Sequence, residues 1–159
     1  MEIRYQPIGV IHSPFKKPEG MPIQPTSEKS APGVAEVYPE FAEGLADLAG
    51  FSHVILLYHL HQVRTVKLKV IPFLDTTERG VFATRAPSRP NPIGLSTVEL
   101  LRVEGNRLHL GNVDILDGTP LLDIKPYVPD FDGPVEIRTG WYEAARSRFR
   151  ATRSDGRFE

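Results

Sequence analysis

Cysteine is absent from this 159-residue chain, which excludes disulfides, thiolate zinc sites and a thiol nucleophile. Stability must therefore come from packing, and any chemistry from other groups. No run approaches the length of uninterrupted apolar sequence that a membrane-spanning helix needs, and the opening MEIRYQPIGV lacks the basic stretch and apolar run of a secretory signal. These absences predict a cytoplasmic protein with no membrane partner. The usual nucleotide signatures are missing too: the 13 glycines never fall in the G-x-G-x-x-G spacing, and no G-x-x-x-x-G-K-[ST] occurs. A Rossmann-type site is not expected.

Room for long helices is also scarce, because 15 prolines and 13 glycines cut the chain into short extended segments. Residues 8–12, 34–38, 53–61, 66–73, 80–84, 96–103 and 108–115 are rich in Val, Ile, Leu, Phe and Tyr. They predict a mainly β, single-domain fold of about seven strands in a barrel-like or sandwiched sheet. Glu104-Gly105-Asn106-Arg107 reads as a hairpin turn in which Gly105 and Asn106 accept positive φ. Two helices are predicted. One is short, over 40–48, entered through Pro39, with Phe41, Leu45 and Leu48 on its apolar face and Gly50 as its stop. The other is C-terminal, over 141–150, with Trp141, Ala144, Ala145 and Phe149 as its buried stripe. Residues 13–32 and 126–134 read as proline-restrained loops.

The formal net charge of −1 conceals an uneven distribution. Asp114, Asp117, Asp123, Asp130, Asp132 and Glu136 surround the single base Lys125, whereas Arg138, Arg146, Arg148, Arg150, Arg153 and Arg157 face only Glu143 and Asp155. The arginines fit either a solvated helix face or a phosphate-binding patch.

Two segments carry the chemistry. GVFATRAPSRPNPIGLS (80–96) reads as a strand followed by a loop that Pro87, Pro90 and Pro92 make rigid, so Arg85, Arg89 and Asn91 present donors at little entropic cost. The structural alternative is a crossover whose arginines pair with carboxylates. DILDGTPLLDIKPY (114–127) contains an Asp-Gly-Thr-Pro turn, where glycine lets a ligand approach the backbone or simply makes a β-turn. Its acidic surroundings favour a cationic ligand and repel a phosphate.

These two segments, preceded by IGVIHSPF, GFSHVILLYHLHQ and a Gln-Pro in the first loop, resemble the TrmO (TsaA-like, YaeB) methyltransferases in matching order from about residue 8 to 127. The resemblance implies a β-barrel-like, non-Rossmann methyltransferase over residues 1–137, with 138–159 as a C-terminal helix and Arg-rich tail of the same domain. It implies S-adenosylmethionine, with its positive sulfonium and ammonium, as cofactor. It further implies a homodimer that transfers the methyl group to N6 of threonylcarbamoyl-adenosine at position 37 of threonine tRNA, recognised by its anticodon arm. Carried over by motif, cofactor contacts come from Gln24, Pro25 and Thr26 in the first loop, His61 and Gln62 after the third strand, Arg85, Leu95, and Asp117, Gly118, Thr119 and Pro120. Family members often have Gly where Thr26 stands, and many bacterial members continue into a further tRNA-holding domain. Arginines in 146–157 are expected to replace part of that grip.

No catalytic residue is assigned, because the [DNS]-P-P-[YFW] motif of other adenine-N6 methyltransferases is absent. Asp117, Asp123 and Tyr127 are candidates for the proton acceptor by proximity to the cofactor turn alone. His53, His59 and His61 lack acidic or thiol companions at ligand spacing, so no metal is expected. A small-molecule methyltransferase and a non-catalytic S-adenosylmethionine-binding regulator remain as alternative functions.

Overall fold

The segment His-Val-Ile-Leu-Leu-Tyr-His sends alternate side chains to opposite faces, and Val54, Leu56 and Tyr58 are its buried set. The same two-residue period organises a computed structural model that describes residues 1–23, 31–149 and 151–158. Its strands are β1 (Gly9–His12), β2 (Ala31–Val37), β3 (His53–His59), β4 (Lys69–Val70), β5 (Arg79–Gly80), β6 (Ile93–Glu104), β7 (Arg107–Val113) and β8 (Thr119–Pro126). Six of them close into an antiparallel barrel in the order β1-β2-β7-β6-β3-β8, with β8 pairing back onto β1. Closure removes the sheet edges, and register shifts in the β2–β7, β6–β7 and β3–β8 pairings supply the curvature.

The core is the inside of this barrel, where Ile11, Val37, Val54, Leu56, Val98, Leu108, Leu110, Val113 and Leu121 are essentially inaccessible. Each such side chain contributes about 1.5–3 kcal/mol on burial. Without disulfides, this interior is what holds the fold.

The hairpin between β6 and β7 turns where expected, but only Gly105 adopts positive φ, at 60°. Asn106 instead donates its side-chain amide to the Val37 carbonyl at 2.6 Å, stitching the turn to β2. Strand β8 fills the stretch between the expected turn at 117–120 and the expected loop at 126–134, with Pro120 near its start and Pro126 at its end, where a missing donor costs little. Predicted strands over 66–73 and 80–84 shrink to the two-residue β4 and β5, and Val66, Leu68 and Ile71 remain exposed.

Both predicted helices are 3-10 rather than α. The first runs Pro39–Leu45 and stops before Asp47, whose φ of 65° separates it from the turn Leu48–Gly50. The second spans Gly140–Arg148 and buries only Ala145 fully, leaving Ala144 exposed. Among the described residues the one α-helical turn, Pro129–Asp132, falls in the predicted loop 126–134.

Candidate functional site

Antiparallel order brings the C-terminal ends of β3 and β7 to the same end of the barrel as the N-terminal ends of β6 and β8. Around that end lies a cleft of about 830 Å³, within the usual range for a small-molecule site. Its floor includes Tyr58, Gly94, Asp114 and Thr119; its walls come from residues 60–64, from Arg85, Pro87 and Arg89, and from the first loop. The tail closes the remaining side through Ser154, Asp155 and Phe158. The tail is held there by backbone bonds from Gly20 to Ser154 and from Ser154 to Met21, beside a bridge between Pro22 and Arg153.

Three polar side chains meet on the floor: Tyr58 from β3, Ser96 from β6, and Asp114 from the position after β7. The Tyr58 hydroxyl lies 2.9 Å from Ser96 Oγ, which in turn donates to Asp114 Oδ1 at 2.6 Å. Because the serine's one proton goes to the carboxylate, the phenol donates to the serine, and the chain is polarised toward Asp114. Burial raises the Asp114 carboxyl to about 7, against the opposing Ser96 bond and the Arg85 charge. Burial likewise raises the Tyr58 phenol, with the Asp114 charge as the next cause. Gly94 pairs with Tyr58 across β3 and β6, and the tyrosine ring lies flat against it: a Cβ there would stand 2.1 Å from the ring.

This chain was not foreseen from the sequence. One signal was present: Asp114 follows β7 and lies between Val113 and Ile115, both fully buried. An acid in such company is costly and invites a functional reading.

Arg85 is positioned by its neighbours. A 3-10 turn at Val81–Ala83 ends with the Thr84 hydroxyl bonded to the Val81 carbonyl at 2.8 Å. The Arg89 guanidinium donates to the carbonyls of Thr84 and Ala86, both at 3.0 Å, bracketing Arg85 on either side. Arg89 therefore braces the loop through backbone carbonyls, where a ligand contact or a carboxylate pair was anticipated. Arg85 also borders a second cavity of about 570 Å³, lined by Phe73, Phe82, Trp141, Tyr142 and Phe149. There the Trp141 indole donates to the Ala83 carbonyl at 2.8 Å.

Of the residues singled out from the sequence, the structure brings His61, Gln62, Arg85, Leu95 and Thr119 together around the cleft. Gln24, Pro25 and Thr26 lie outside the described residues. Asp117 turns away. Its carboxylate accepts from the Ser13 amide at 2.9 Å and from the Lys16 ammonium at 2.5 Å, and these bonds hold its pKa below the usual range. Gly118, with φ 76°, makes the turn and donates its amide to Ile11. Pro120 is in register with Val10 on β1, and the Thr119 hydroxyl is spent on the Leu116 carbonyl at 2.6 Å. The acidic lining of the cleft is thus Glu19, Asp114 and Asp155, with Asp117 serving the loop at 13–16.

Asp123 pairs with Lys125 at 2.8 Å, and Tyr127 sits beside His53 at the far end of β3, so neither reaches the cleft. Among the described residues no group of three metal-binding side chains assembles. Among the tail arginines, Arg148 donates to the Leu74 carbonyl, and Arg157 bonds Asp155 and the Pro72 carbonyl and covers the Phe73 ring. Arg150 lies outside the described residues.

The family model for the tRNA-methyltransferase O N-terminal domain matches residues 10–133. A probable S-adenosyl-L-methionine-binding protein of Pyrococcus abyssi is 54% identical over 156 residues, which is 98% of this chain and 85% of that protein. The mouse tRNA (adenine(37)-N6)-methyltransferase is 39% identical over 139 residues, 83% of this chain and 32% of the mouse protein. The crystal structure of TrmO from Pseudomonas aeruginosa superposes with a TM-score of 0.75 at 43% identity, covering 89% of this chain and 63% of the other.

Proposed function

The chain belongs to the tRNA-methyltransferase O family, and on that premise we propose that it uses S-adenosylmethionine to methylate N6 of adenine 37 in tRNA, with threonylcarbamoyl-adenosine of threonine tRNA as acceptor. The observation that carries this reading is the cleft at the barrel end, where Arg85 and Asp114 face one space between apolar walls.

The side chains present fit the cofactor. Carboxylates of Asp114 and Glu19 suit its two positive centres, Arg85 suits its carboxylate, and Leu60, Leu95 and Ile23 offer apolar surface to its adenine. Bound there, it supplies an electrophilic methyl group. His61, Gln62 and Thr119 complete the wall, with Gln24, Pro25 and Thr26 expected from the first loop. Asp117, Gly118 and Pro120 act at one remove, by shaping the turn that carries Thr119. The chain's contribution is mainly orientation: the amine nitrogen, the methyl carbon and the sulfur must be held nearly in line. The aromatic cavity across Arg85 supports the reading further, since an adenine leaving its stack is stabilised by aromatic faces.

We read residues 138–159 as part of the same domain, supported by the tail's bonds to the first loop. A homodimer is supported by the exposed Ile93, Leu95 and Leu101 of β6; light scattering at the monomer mass of 17.8 kDa would contradict it.

The deciding experiment incubates the protein with radiolabelled S-adenosylmethionine and total tRNA from a strain lacking the endogenous enzyme. The expected outcome is label in threonine tRNA that carries the carbamoylated adenosine, no label in tRNA made without that modification, and loss of label with Arg85→Ala. Cofactor binding with no label in any tRNA sinks the tRNA reading and leaves a binding protein. Label in small molecules without RNA points to a different acceptor.

A further inference from the structure

We propose that Asp114 is the catalytic residue that takes the proton from the acceptor nitrogen, with Ser96 and Tyr58 as the positioning residues that aim it. This rests on the methyltransferase reading above, and it assigns the role that the sequence left open.

The argument begins with placement. Asp114 lies on the cleft floor and is held from one side by Ser96, whose own oxygen accepts from Tyr58. Ser96 fixes one carboxylate oxygen and Tyr58 fixes Ser96, which orients the group as a base needs in order to meet a proton along a set direction. The three residues come from β7's end, β6 and β3, so the barrel itself sets their geometry. Asp117 and Asp123, the acids nearest in sequence, are engaged by Lys16 and Lys125 outside the cleft.

Charge conservation in a poorly solvated floor gives the second step. Before reaction, the Asp114 carboxylate and a sulfonium methyl donor are together neutral. In the reaction the nitrogen lone pair forms the new C–N bond, the C–S bond breaks with its electron pair returning to sulfur, and the proton on nitrogen moves to the Asp114 carboxylate. Thioether, carboxylic acid and methylated amine are again neutral together, so the reacting groups carry no net charge at either stage. A group titrating near neutrality is well matched to that exchange at cellular pH. The other charge that reaches Asp114 is that of Arg85, and the neutral Tyr58 phenol is the nearest further titratable group; His61, Arg64, Arg89, Lys17, Glu19 and Asp155 line the rest of the cleft.

Two readouts on the intact protein test this. In calorimetry at pH 7, in buffers of differing ionisation heat, binding the sulfonium donor should release up to about half a proton, because a carboxyl titrating at about 7 is half protonated there. S-adenosylhomocysteine, which lacks the sulfonium charge, should release less, and Asp114→Asn should abolish the difference despite the presence of His61. In single-turnover methylation, Asp114→Asn should cut the rate by roughly 100-fold or more while changing affinity for S-adenosylhomocysteine less than about threefold. It should also remove the acidic limb of the pH profile. Ser96→Ala should move that limb to higher pH, since the Ser96 bond lowers the Asp114 pKa.

An Asp114→Asn protein that methylates at the native rate overturns the proposal. So does one whose loss of rate is matched by lost S-adenosylhomocysteine affinity, which makes Asp114 a ligand anchor. Absence of transfer to tRNA by the native protein refutes the functional reading instead. The calorimetric arm still decides Asp114 in that case, because equal proton release with both ligands overturns its placement against the sulfonium.

Discussion

Gly94→Ala should damage the site and the fold together. The new Cβ would lie 2.1 Å from Tyr58 Cε2 and 2.5 Å from Cζ, with the ring sandwiched inside the barrel end. Neither partner can yield cheaply, since Gly94 and Tyr58 are paired strand residues and the phenol is anchored on Ser96. Overpacking of this kind costs about 1–3 kcal/mol. Turning the ring aside would also break the buried phenol–serine bond, a further ~0.5–1.5 kcal/mol. The combined loss of roughly 2–4 kcal/mol corresponds to a fall in Tm of roughly 4–16 °C for a chain of this length. Thermal unfolding followed by circular dichroism measures it, with Gly80→Ala as control because an added Cβ there meets nothing within 4 Å. Tyr58→Ala removes the obstruction, so the double variant should lose less than the sum of the two single variants by about 1–3 kcal/mol. An unchanged Tm for Gly94→Ala, or strict additivity in the double variant, would refute the packing argument.

Asp114→Asn should raise Tm at pH 8 even as it lowers the transfer rate. The folded carboxyl titrates above its unfolded value, so the folded state is penalised as pH rises from about 4 through about 7, and an amide escapes that penalty; a Tm gap that does not widen between pH 5 and pH 8 contradicts this. Asp117 has the opposite sign. Its folded pKa is depressed, first by the Lys16 bond and then by the Ser13 amide, so its stabilisation is present above the unfolded pKa and lost as pH falls below it. Asp117→Asn should therefore flatten the loss of stability below about pH 4, read by urea unfolding across that range. Arg157→Ala removes bonds to the Pro72 carbonyl and Asp155 and the cover over Phe73, and limited proteolysis should then cut the C-terminal segment faster while the barrel stays intact; equal cleavage rates would show that the tail is held by other contacts.

Most of the strands were legible because a barrel wall enforces a two-residue period, and β1, β2, β3, β6 and β7 carry it in plain apolar residues. Strand β8 escaped notice because its prolines read as turns, although each falls where the pairing tolerates a missing donor. The 3-10 segments escaped for a different reason: an apolar spacing at three and four residues does not distinguish 3-10 from α, and Asp47 at positive φ interrupts the first one.

By itself the sequence determined the absence of thiol chemistry, the mainly β class, the family, and the candidate loop around Arg85, because these depend on residue type and local order. The tertiary structure alone decided which acid faces the cleft. Asp114 and Asp117 are three residues apart and chemically identical, yet one follows the end of β7 onto the cleft floor beside Ser96 while the other follows the chain out to Lys16. Tyr58, Ser96 and Asp114 are separated by 38 and 18 positions along the chain. Their meeting follows from strand register and barrel closure, which are set by pairings between distant segments and leave no local mark on the sequence.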